Sequence, residues 1–169
     1  MAEAELCLLY LSIYIMTTKR IYQVKYPVLI TINIKKRYPL FEEQICAEIA
    51  ANCLHESAKI HKFKLLCFII MPEHIHILLK NTREKNMSQI MQHYKSYVYH
   101  QIRQCTEIKE KFWQRSFDYR IKFTLASFNN AVDYIKTNPF KKELPEKYHK
   151  LPYFYENKYI IDSMRDIYI

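Results

Sequence analysis

The sequence predicts an α+β domain in which an antiparallel sheet carries packed helices. Segments rich in β-branched residues alternate with segments whose apolar residues recur at helical spacing. Two of the strand segments are joined by a connection short enough for an antiparallel pair. The 169 residues suffice for one domain of ordinary size, and neither a repeat nor a linker divides them.

The predicted strands lie in the first half of the chain. "YPVLITINI" (26–34) is rich in β-branched residues and begins beside Pro27. "FKLLCFIIM" (63–71) is apolar on both faces, as a central strand should be, and Pro72 ends it. "HIHILLK" (74–80) follows directly, and we expect it to pair with the preceding strand.

Three helices are predicted, one at 42–59, one at 88–105, and one that starts after Thr124 and stops at Pro139. The first places its apolar residues on one side. The second has two candidate N-caps, Asn86 and Ser88.

The remaining segments have less regular patterns. The aromatic stretch "FWQRSFDYRIK" (112–122) predicts either a short strand or an extended loop. The residues from Phe140 onward predict mostly coil, with a short strand or helix at 159–169. The apolar segment 6–16 is about half as long as a membrane span requires. It predicts a cytosolic helix or strand, or a true start at Met16, and no contact with a membrane.

Charge and composition narrow the function. The formal net charge is +9, with basic residues spread among tyrosines, which favours a polyanionic partner such as nucleic acid. An AT-rich genome would also produce such a composition. Glycine is absent, which excludes a glycine-rich nucleotide-binding loop. The five cysteines form no C-x-x-C pair, which indicates reduced, buried thiols in the cytoplasm.

A pair of histidines stands out in "MPEHIHILLK". On a strand, His74 and His76 project from the same face, whereas Ile75 and Ile77 point into the core. Two imidazoles so placed can hold one metal ion. They can equally be two polar residues on the solvated face of a sheet, and a third ligand would decide between the two interpretations.

The third predicted helix supplies a candidate in "DYIKTNP". Tyr134 and Asn138 are four residues apart and therefore share a helical face. Asn138 precedes Pro139, so we expect its amide at a helix end, where it can turn to a ligand. The alternative is an ordinary C-terminal asparagine beside an edge tyrosine.

"MPEHIHILLK", "HYKSYVYHQI", "FWQRSF" and "VDYIKTNP" occur in this order and at these intervals in single-tyrosine transposases of the HUH endonuclease class. The chain resembles in particular the REP-associated tyrosine transposases, where REP denotes a repetitive extragenic palindrome. The resemblance implies a transposase domain at 26–145, an N-terminal extension at 1–25 and a C-terminal tail at 146–169. It also implies a ferredoxin-like antiparallel sheet with helices packed on one face.

The resemblance further implies residue roles. His74 and His76 would be metal ligands, Asn138 the third ligand, and Tyr134 the nucleophile. Other tyrosines compete for this role, and Tyr97 or Tyr94 on the second helix is our second choice. The expected ion is Mg or Mn, although imidazole also accepts Zn or Ni. The expected reaction is metal-dependent cleavage and transfer of single-stranded DNA through a covalent 5′-phosphotyrosine.

Two alternatives stay open. One is a catalytically decayed member of the same family that only binds DNA. The other is a plasmid relaxase or rolling-circle initiator, which the short chain disfavours. An assay for a covalent protein–DNA adduct would separate the enzyme from the binding-only protein.

Basic and aromatic residues are candidates for contacts to DNA. We assign this role to Lys95, Arg115, Tyr97, Arg103 and Arg120. For Trp113 and Phe117, core packing is the simpler interpretation, and no chemistry is assigned to Asp118 or Tyr119. The expected partner is single-stranded or hairpin DNA, bound by a monomer or homodimer in the cytoplasm, in association with the nucleoid.

Overall fold

Five antiparallel strands form one sheet in the computed structural model, which describes residues 23–82 and 85–169. The strands are β1 (Val28–Asn33), β2 (Lys64–Met71), β3 (His74–Lys80), β4 (Asp118–Ile121) and β5 (Phe154–Glu156). Their order across the sheet is β4-β1-β3-β2-β5, so the histidine strand β3 is central. The apolar segment 6–16, the alternative start at Met16 and Cys7 lie outside the described residues.

Four α-helices of the described part pack on the sheet, and the first three correspond to the three predicted helices. They are α1 (Gln44–His61), α2 (Met87–Cys105), α3 (Leu125–Lys141) and α4 (Lys158–Arg165). Asn86, and not Ser88, caps α2. Its side chain accepts from the Gln89 backbone N–H at 2.9 Å, and the Gln89 side chain accepts from the Asn86 backbone N–H at 3.2 Å.

The helices cover both faces of the sheet. The α+β class and the antiparallel sheet are confirmed, but the expectation that the helices pack on one face is not. One apolar cluster joins α1 and α2 to one face, and a second joins α3 and α4 to the other. The reason is that β2 and β3 are apolar on both sides, so each face needs a cover.

Strand register sets which polar side chains share a face. Thr31 on β1 lies opposite His76 on β3, and Asp118 on β4 lies opposite Thr31. Asn33 lies opposite His74 in the same way. Side chains directly across an antiparallel sheet point to the same face. This row of polar residues therefore projects toward α3, whose buried residues pack against β2 and β3.

Helix α3 does not end at Pro139 as the sequence predicted. It continues through the proline to Lys141. Proline removes its own N–H from the helix, and its ring crowds the carbonyl four residues earlier. The carbonyls around Pro139 still accept hydrogen bonds. The Asn138 carbonyl accepts from the Lys142 N–H at 3.1 Å, and the Pro139 carbonyl accepts from the Leu144 N–H at 2.9 Å. Asn138 thus lies inside the helix, one turn after Tyr134.

The C-terminal segment is more ordered than the predicted coil. Its strand β5 pairs with β2, with Phe154 opposite Ile69, and thereby adds an edge strand to the sheet. Tyr148, Tyr153, Ile161 and Met164 are all buried. A large apolar surface would be exposed on the sheet and on α3 without this segment.

The stretch 112–122 contains both structures that the sequence allowed. Residues 118–121 form strand β4, and the preceding residues form a loop. A single β-bridge between Trp113 and Ile34 attaches that loop to the end of β1.

The described cysteines are free thiols. Cys46, Cys53 and Cys67 are buried as predicted, whereas Cys105 is exposed at the end of α2. Within the described residues, no helix combines the length and the apolar character needed to cross a membrane.

Candidate active site

The two histidines converge on one point beneath α3. His74 and His76 are buried, and their Nε2 atoms lie 3.0 Å apart. Burial lowers the pKa of His74, although the neighbouring Glu73 carboxylate opposes the shift. Burial, with help from His74 and Arg37, lowers the pKa of His76 to about 3. Both rings are thus neutral near pH 7, which is the form that binds metal ions.

The other nitrogen of each ring has a partner that fixes the ring. Nδ1 of His74 lies 3.1 Å from Oε1 of Glu73, and Nδ1 of His76 lies 2.9 Å from Oγ1 of Thr31. A carboxylate only accepts, so Nδ1 of His74 carries the hydrogen and its Nε2 carries a lone pair. The Thr31 hydroxyl can accept from an N–H at Nδ1 of His76, which leaves the lone pair of His76 on Nε2 as well. Sequence reasoning missed both partners. The Thr31 position follows only from the register of β1 against β3.

The separation of the two Nε2 atoms fits a shared cation. Two metal–nitrogen bonds of about 2.1 Å at a right angle span about 3.0 Å, which corresponds to neighbouring positions of an octahedron. Two lone pairs directed at each other repel unless a cation or a proton lies between them. In the described part of the chain, no three His, Cys, Asp or Glu side chains group to form a metal site. A third protein ligand would therefore come from another residue type.

Tyr134 on α3 reaches the histidine pair. Its hydroxyl lies 3.1 Å from Nε2 of His76, and the two rings stand edge to face with centroids 5.0 Å apart. The tyrosine is 40% exposed, so its hydroxyl stands between the buried imidazoles and solvent. The structure thus brings together three of the residues that the resemblance singled out.

Asn138 follows Tyr134 by one helical turn and is buried on the same helix. Its Nδ2 atom is buried and has no hydrogen-bond partner. A buried amide group without a partner costs free energy, about 1–3 kcal/mol in proteins. Asn138 is therefore a candidate for a further contact at this site.

A cleft of about 350 Å³ opens beside Tyr134, and we call it the Tyr134 cleft. Its floor is the polar row of the sheet with Thr31 and His76, and its far wall is β4. Residues of β4 and the segment after it line that wall, namely Asp118, Arg120 and Lys122. Arg120 was predicted to contact DNA, whereas Asp118 and Lys122 were not. Their alternation along a strand that pairs with β1 is the signal that would have found them.

The other predicted DNA contacts lie away from the histidines. The Lys95 ammonium group donates to the carbonyls of Gln114 at 2.6 Å and Arg115 at 3.1 Å, so it holds a loop. Arg103 lies over the Tyr99 ring at 5.4 Å, and Tyr97 packs against the cluster of α1 and α2. These residues are on or beside α2, on the face of the sheet opposite to α3.

The alternative nucleophiles are also on that opposite face. Tyr94 is fully buried, and its hydroxyl donates to the Ala50 carbonyl at 3.1 Å. Burial raises the pKa of Tyr94 well above the ordinary phenol value. Tyr97 is half-buried on the same helix. Neither residue is near His74 or His76, in contrast to Tyr134.

Comparisons with known proteins agree with this architecture. The solved structure of a REP-associated tyrosine transposase bound to a REP hairpin superposes with a TM-score of 0.63 at 20% sequence identity, covering 85% of this chain and 82% of the other. A proposed transposase from Deinococcus radiodurans R1 superposes with a TM-score of 0.51 at 14% identity, covering 70% of this chain and 90% of the other. At these identities the likeness establishes the fold.

No curated protein matches the sequence. The family described as "Transposase IS200 like" matches residues 20–138, which include both histidines, Tyr134 and Asn138. This range is well over half of the chain, and the protein therefore belongs to the IS200-like transposase family.

Proposed function

We propose that this transposase cleaves single-stranded DNA and transfers the cleaved strand through a covalent link to Tyr134. The observation that carries the proposal is the convergence of the Tyr134 hydroxyl and the two Nε2 atoms, at 3.1 Å and 3.0 Å around His76. A hydroxyl nucleophile beside two neutral imidazoles is suited to metal-assisted phosphoryl transfer.

His74, His76 and Asn138 would hold the divalent ion, Mg or Mn. When bound, the ion would polarise a phosphate oxygen and neutralise the charge that develops during transfer. A half-turn of the Asn138 amide exchanges its unpartnered nitrogen for an oxygen, which is a suitable ligand for such an ion. Glu73 and Thr31 would keep the imidazoles oriented, as outer partners of metal-binding histidines commonly do.

The transfer step uses atoms that the chain and the DNA supply. The Tyr134 oxygen attacks the phosphorus, a bond from phosphorus to tyrosine oxygen forms, and the bond to the 3′ oxygen breaks. The phenolic proton passes to water, and the leaving 3′ oxygen takes up a proton. The products are a 5′-phosphotyrosine and a free 3′-hydroxyl. A second 3′-hydroxyl can reverse the step and join new strands without an external energy source.

The surroundings of Tyr134 favour unpaired DNA as the substrate. A tyrosine must approach the phosphorus in line with the leaving oxygen, and a paired duplex hinders this approach. Arg120 and Lys122 place two cations in the Tyr134 cleft, where they can contact phosphates. The relative of known structure is bound to a REP hairpin, and we propose hairpin DNA with unpaired flanks for this chain as well.

The site would be complete within one subunit. The histidines on β3 and the tyrosine on α3 belong to the same chain and already contact each other. We therefore propose that catalysis does not require a residue from a second copy, whether or not the protein forms a dimer.

The test is the formation of a covalent adduct. The protein is incubated with Mn²⁺ and a labelled pool of hairpin oligonucleotides whose single-stranded flanks are randomised. We expect a labelled protein band that survives denaturation, that requires the divalent ion, and that disappears with a chelator. If the oligonucleotides bind but no adduct forms under any flank sequence, the binding-only alternative is correct.

A further inference from the structure

A second cleft, larger than the Tyr134 cleft, lies at the same edge of the sheet but on the opposite face. It has a volume of about 680 Å³, within the range of sites that hold small ligands. Its walls are the N-terminal half of α2 and the loop that precedes β4. We call it the Trp113 cleft, after the indole in its wall. Neither the metal site nor the proposed nucleophile uses it.

The charges around the Trp113 cleft have one sign. Four of the twelve residues that line it are basic, and none of the twelve is acidic. The basic residues are Lys35, Lys95, Lys111 and Arg115. Acidic residues number 17 in the chain, so their absence from this lining favours an anionic ligand.

The remaining lining suits flat rings and their polar edges. Four residues are aromatic, namely Tyr99, Phe112, Trp113 and Phe117. Four are uncharged and polar, namely Ser88, Gln92, Ser96 and Gln114. Aromatic side chains interleaved with cations are typical of sites for unpaired nucleic acid, because each base can stack while its phosphate meets a cation.

The cleft is preformed. The Phe112 carbonyl accepts from the Lys35 N–H at 2.7 Å, and the Gln114 N–H donates to the Asn33 carbonyl at 2.9 Å. The Trp113 indole N–H donates to the Lys95 carbonyl at 2.9 Å, while the Lys95 ammonium group holds the carbonyls of Gln114 and Arg115. A ligand therefore finds its walls already in place, which lowers the entropic cost of binding.

The Trp113 cleft and the Tyr134 cleft adjoin each other around the edge of the sheet. Strand β4 is an edge strand, and the two consecutive residues Phe117 and Asp118 line the Trp113 cleft and the Tyr134 cleft respectively. Consecutive residues of an extended chain point to opposite faces. A DNA strand that left Tyr134 across Arg120 would therefore reach the second cleft by passing around β4.

We propose that the Trp113 cleft binds unpaired nucleotides of the same DNA strand that is cleaved at Tyr134, stacking a base on its aromatic wall and holding phosphates with Lys111 and Arg115. This inference rests on the proposed function for the identity of the partner, but not for the chemistry at Tyr134. It gives the enzyme a second contact by which it selects single-stranded flanks.

Trp113 is the only tryptophan of the chain, so its fluorescence reports directly on the cleft. The protein is titrated with oligodeoxythymidylate, and tryptophan emission and the anisotropy of a label on the DNA are recorded together. We expect the emission to be quenched along the same binding curve as the anisotropy, and a blunt duplex to quench it far less. Binding without any change in Trp113 emission, or equal quenching by the duplex, would overturn the proposal.

Two charge-removing variants test the cations. Lys111 and Arg115 are exposed, so K111A/R115A should fold normally, which circular dichroism checks. The loss of two phosphate contacts on a single strand should weaken binding about 25-fold at 0.1 M salt. A plot of the logarithm of the binding constant against the logarithm of the salt concentration should become less steep by about 1.4. The control K64A/K158A removes two exposed lysines that do not line the cleft and should retain nearly all the affinity. If both variants weaken DNA binding equally, the loss of affinity comes from net charge alone, which would contradict the proposal.

A third variant separates this inference from the proposed function. Tyr134→Phe leaves the Trp113 cleft intact, so we expect normal quenching with no covalent adduct. If the wild type also fails to form an adduct but the quenching persists, the proposed catalysis is wrong and the nucleotide site stands. If the adduct forms but the quenching is absent, the nucleotide site is wrong and the catalysis stands.

Discussion

The Tyr134 hydroxyl and Nε2 of His74 both lie within 3.1 Å of the same atom, Nε2 of His76. An imidazole nitrogen of this kind has one lone pair, and it cannot serve a hydroxyl and a cation at once. We infer that when His76 gives its lone pair to an ion, the hydroxyl of Tyr134 loses its acceptor and becomes available to the substrate. In the proposed mechanism, the histidine pair and Tyr134 are therefore coupled through one atom.

Tyr134→Phe should abolish the covalent adduct, because the attacking oxygen is removed. Protein stability should change little, since the ring is 40% exposed and only the hydroxyl is lost. Denaturing electrophoresis with labelled single-stranded DNA measures the adduct. Tyr97→Phe is the matched control on α2 and should form the adduct normally. The opposite pattern would identify Tyr97 as the nucleophile.

His76→Gln should weaken Mn²⁺ binding by more than about 100-fold, because even the loss of an outer partner of a metal-binding histidine costs 10- to 100-fold. Electron paramagnetic resonance of free Mn²⁺ measures the affinity without reference to activity. His93→Gln changes an exposed histidine on α2 and should leave the affinity unchanged. An unchanged affinity in His76→Gln would exclude this residue as a ligand.

Thr31→Val tests the orientation of the His76 ring. Valine keeps the size and the β-branched shape of threonine but removes the hydroxyl that lies 2.9 Å from Nδ1. We expect Mn²⁺ affinity to fall by about 10-fold or more while both ligands remain. Thr137→Val removes a hydroxyl that bonds only within α3, to the Asp133 carbonyl, and serves as the control. Equal affinities of the two variants would show that Thr31 does not orient the ring.

Tyr94→Phe should affect stability alone. The variant loses one buried hydrogen bond to the Ala50 carbonyl, which corresponds to about 1 kcal/mol of unfolding free energy. Urea denaturation measures this change, and the adduct assay should give the wild-type result at a temperature where both proteins are folded. A folded Tyr94→Phe protein that forms no adduct would contradict the structural role of this residue.

Ile161→Ala tests whether the C-terminal segment belongs to the folded core. Ile161 is buried on α4 against the sheet face that carries α3, so its truncation should cost about 2–5 kcal/mol. Tyr159→Ala, at a position 84% exposed on the same helix, should stay within about 0.5 kcal/mol of the wild type. Similar small effects from both substitutions would show that the segment is an accessory tail.

The regular elements were predictable where periodicity is strong. Strand β3 was predicted at 74–80 and observed there, because a proline before it and alternating side chains define both its limits and its faces. The prediction failed where the signal is tertiary. Helices on both faces follow from a sheet that is apolar on both sides, and this requirement concerns the assembled sheet rather than any one helix.

Local rules also misled at two points. Proline disfavours continuation of a helix, yet α3 passes through Pro139 and ends two residues later, at Lys141. The C-terminal segment was predicted as mostly coil because it is rich in Lys, Pro and Tyr. Its strand β5 has only three residues and is held by pairing with β2.

In the candidate site, the histidines, the tyrosine and the asparagine were proposed from spacing and resemblance. The partners that orient them were not, because Thr31 lies 45 residues from His76 in the chain and reaches it only through strand register. For the same reason no role was assigned to Asp118 from the sequence, and Lys122 was not singled out. Long-range pairing therefore limits what spacing alone can predict here.

The central position of β3 in the sheet determines how rarely the site opens. The strand has a hydrogen-bonded neighbour on each side, β1 and β2, so releasing it requires both ladders to open together. Such segments unfold only with the whole domain, and their amide protons are the last to exchange with solvent. The two imidazoles thus keep their relative position through the ordinary fluctuations of the protein.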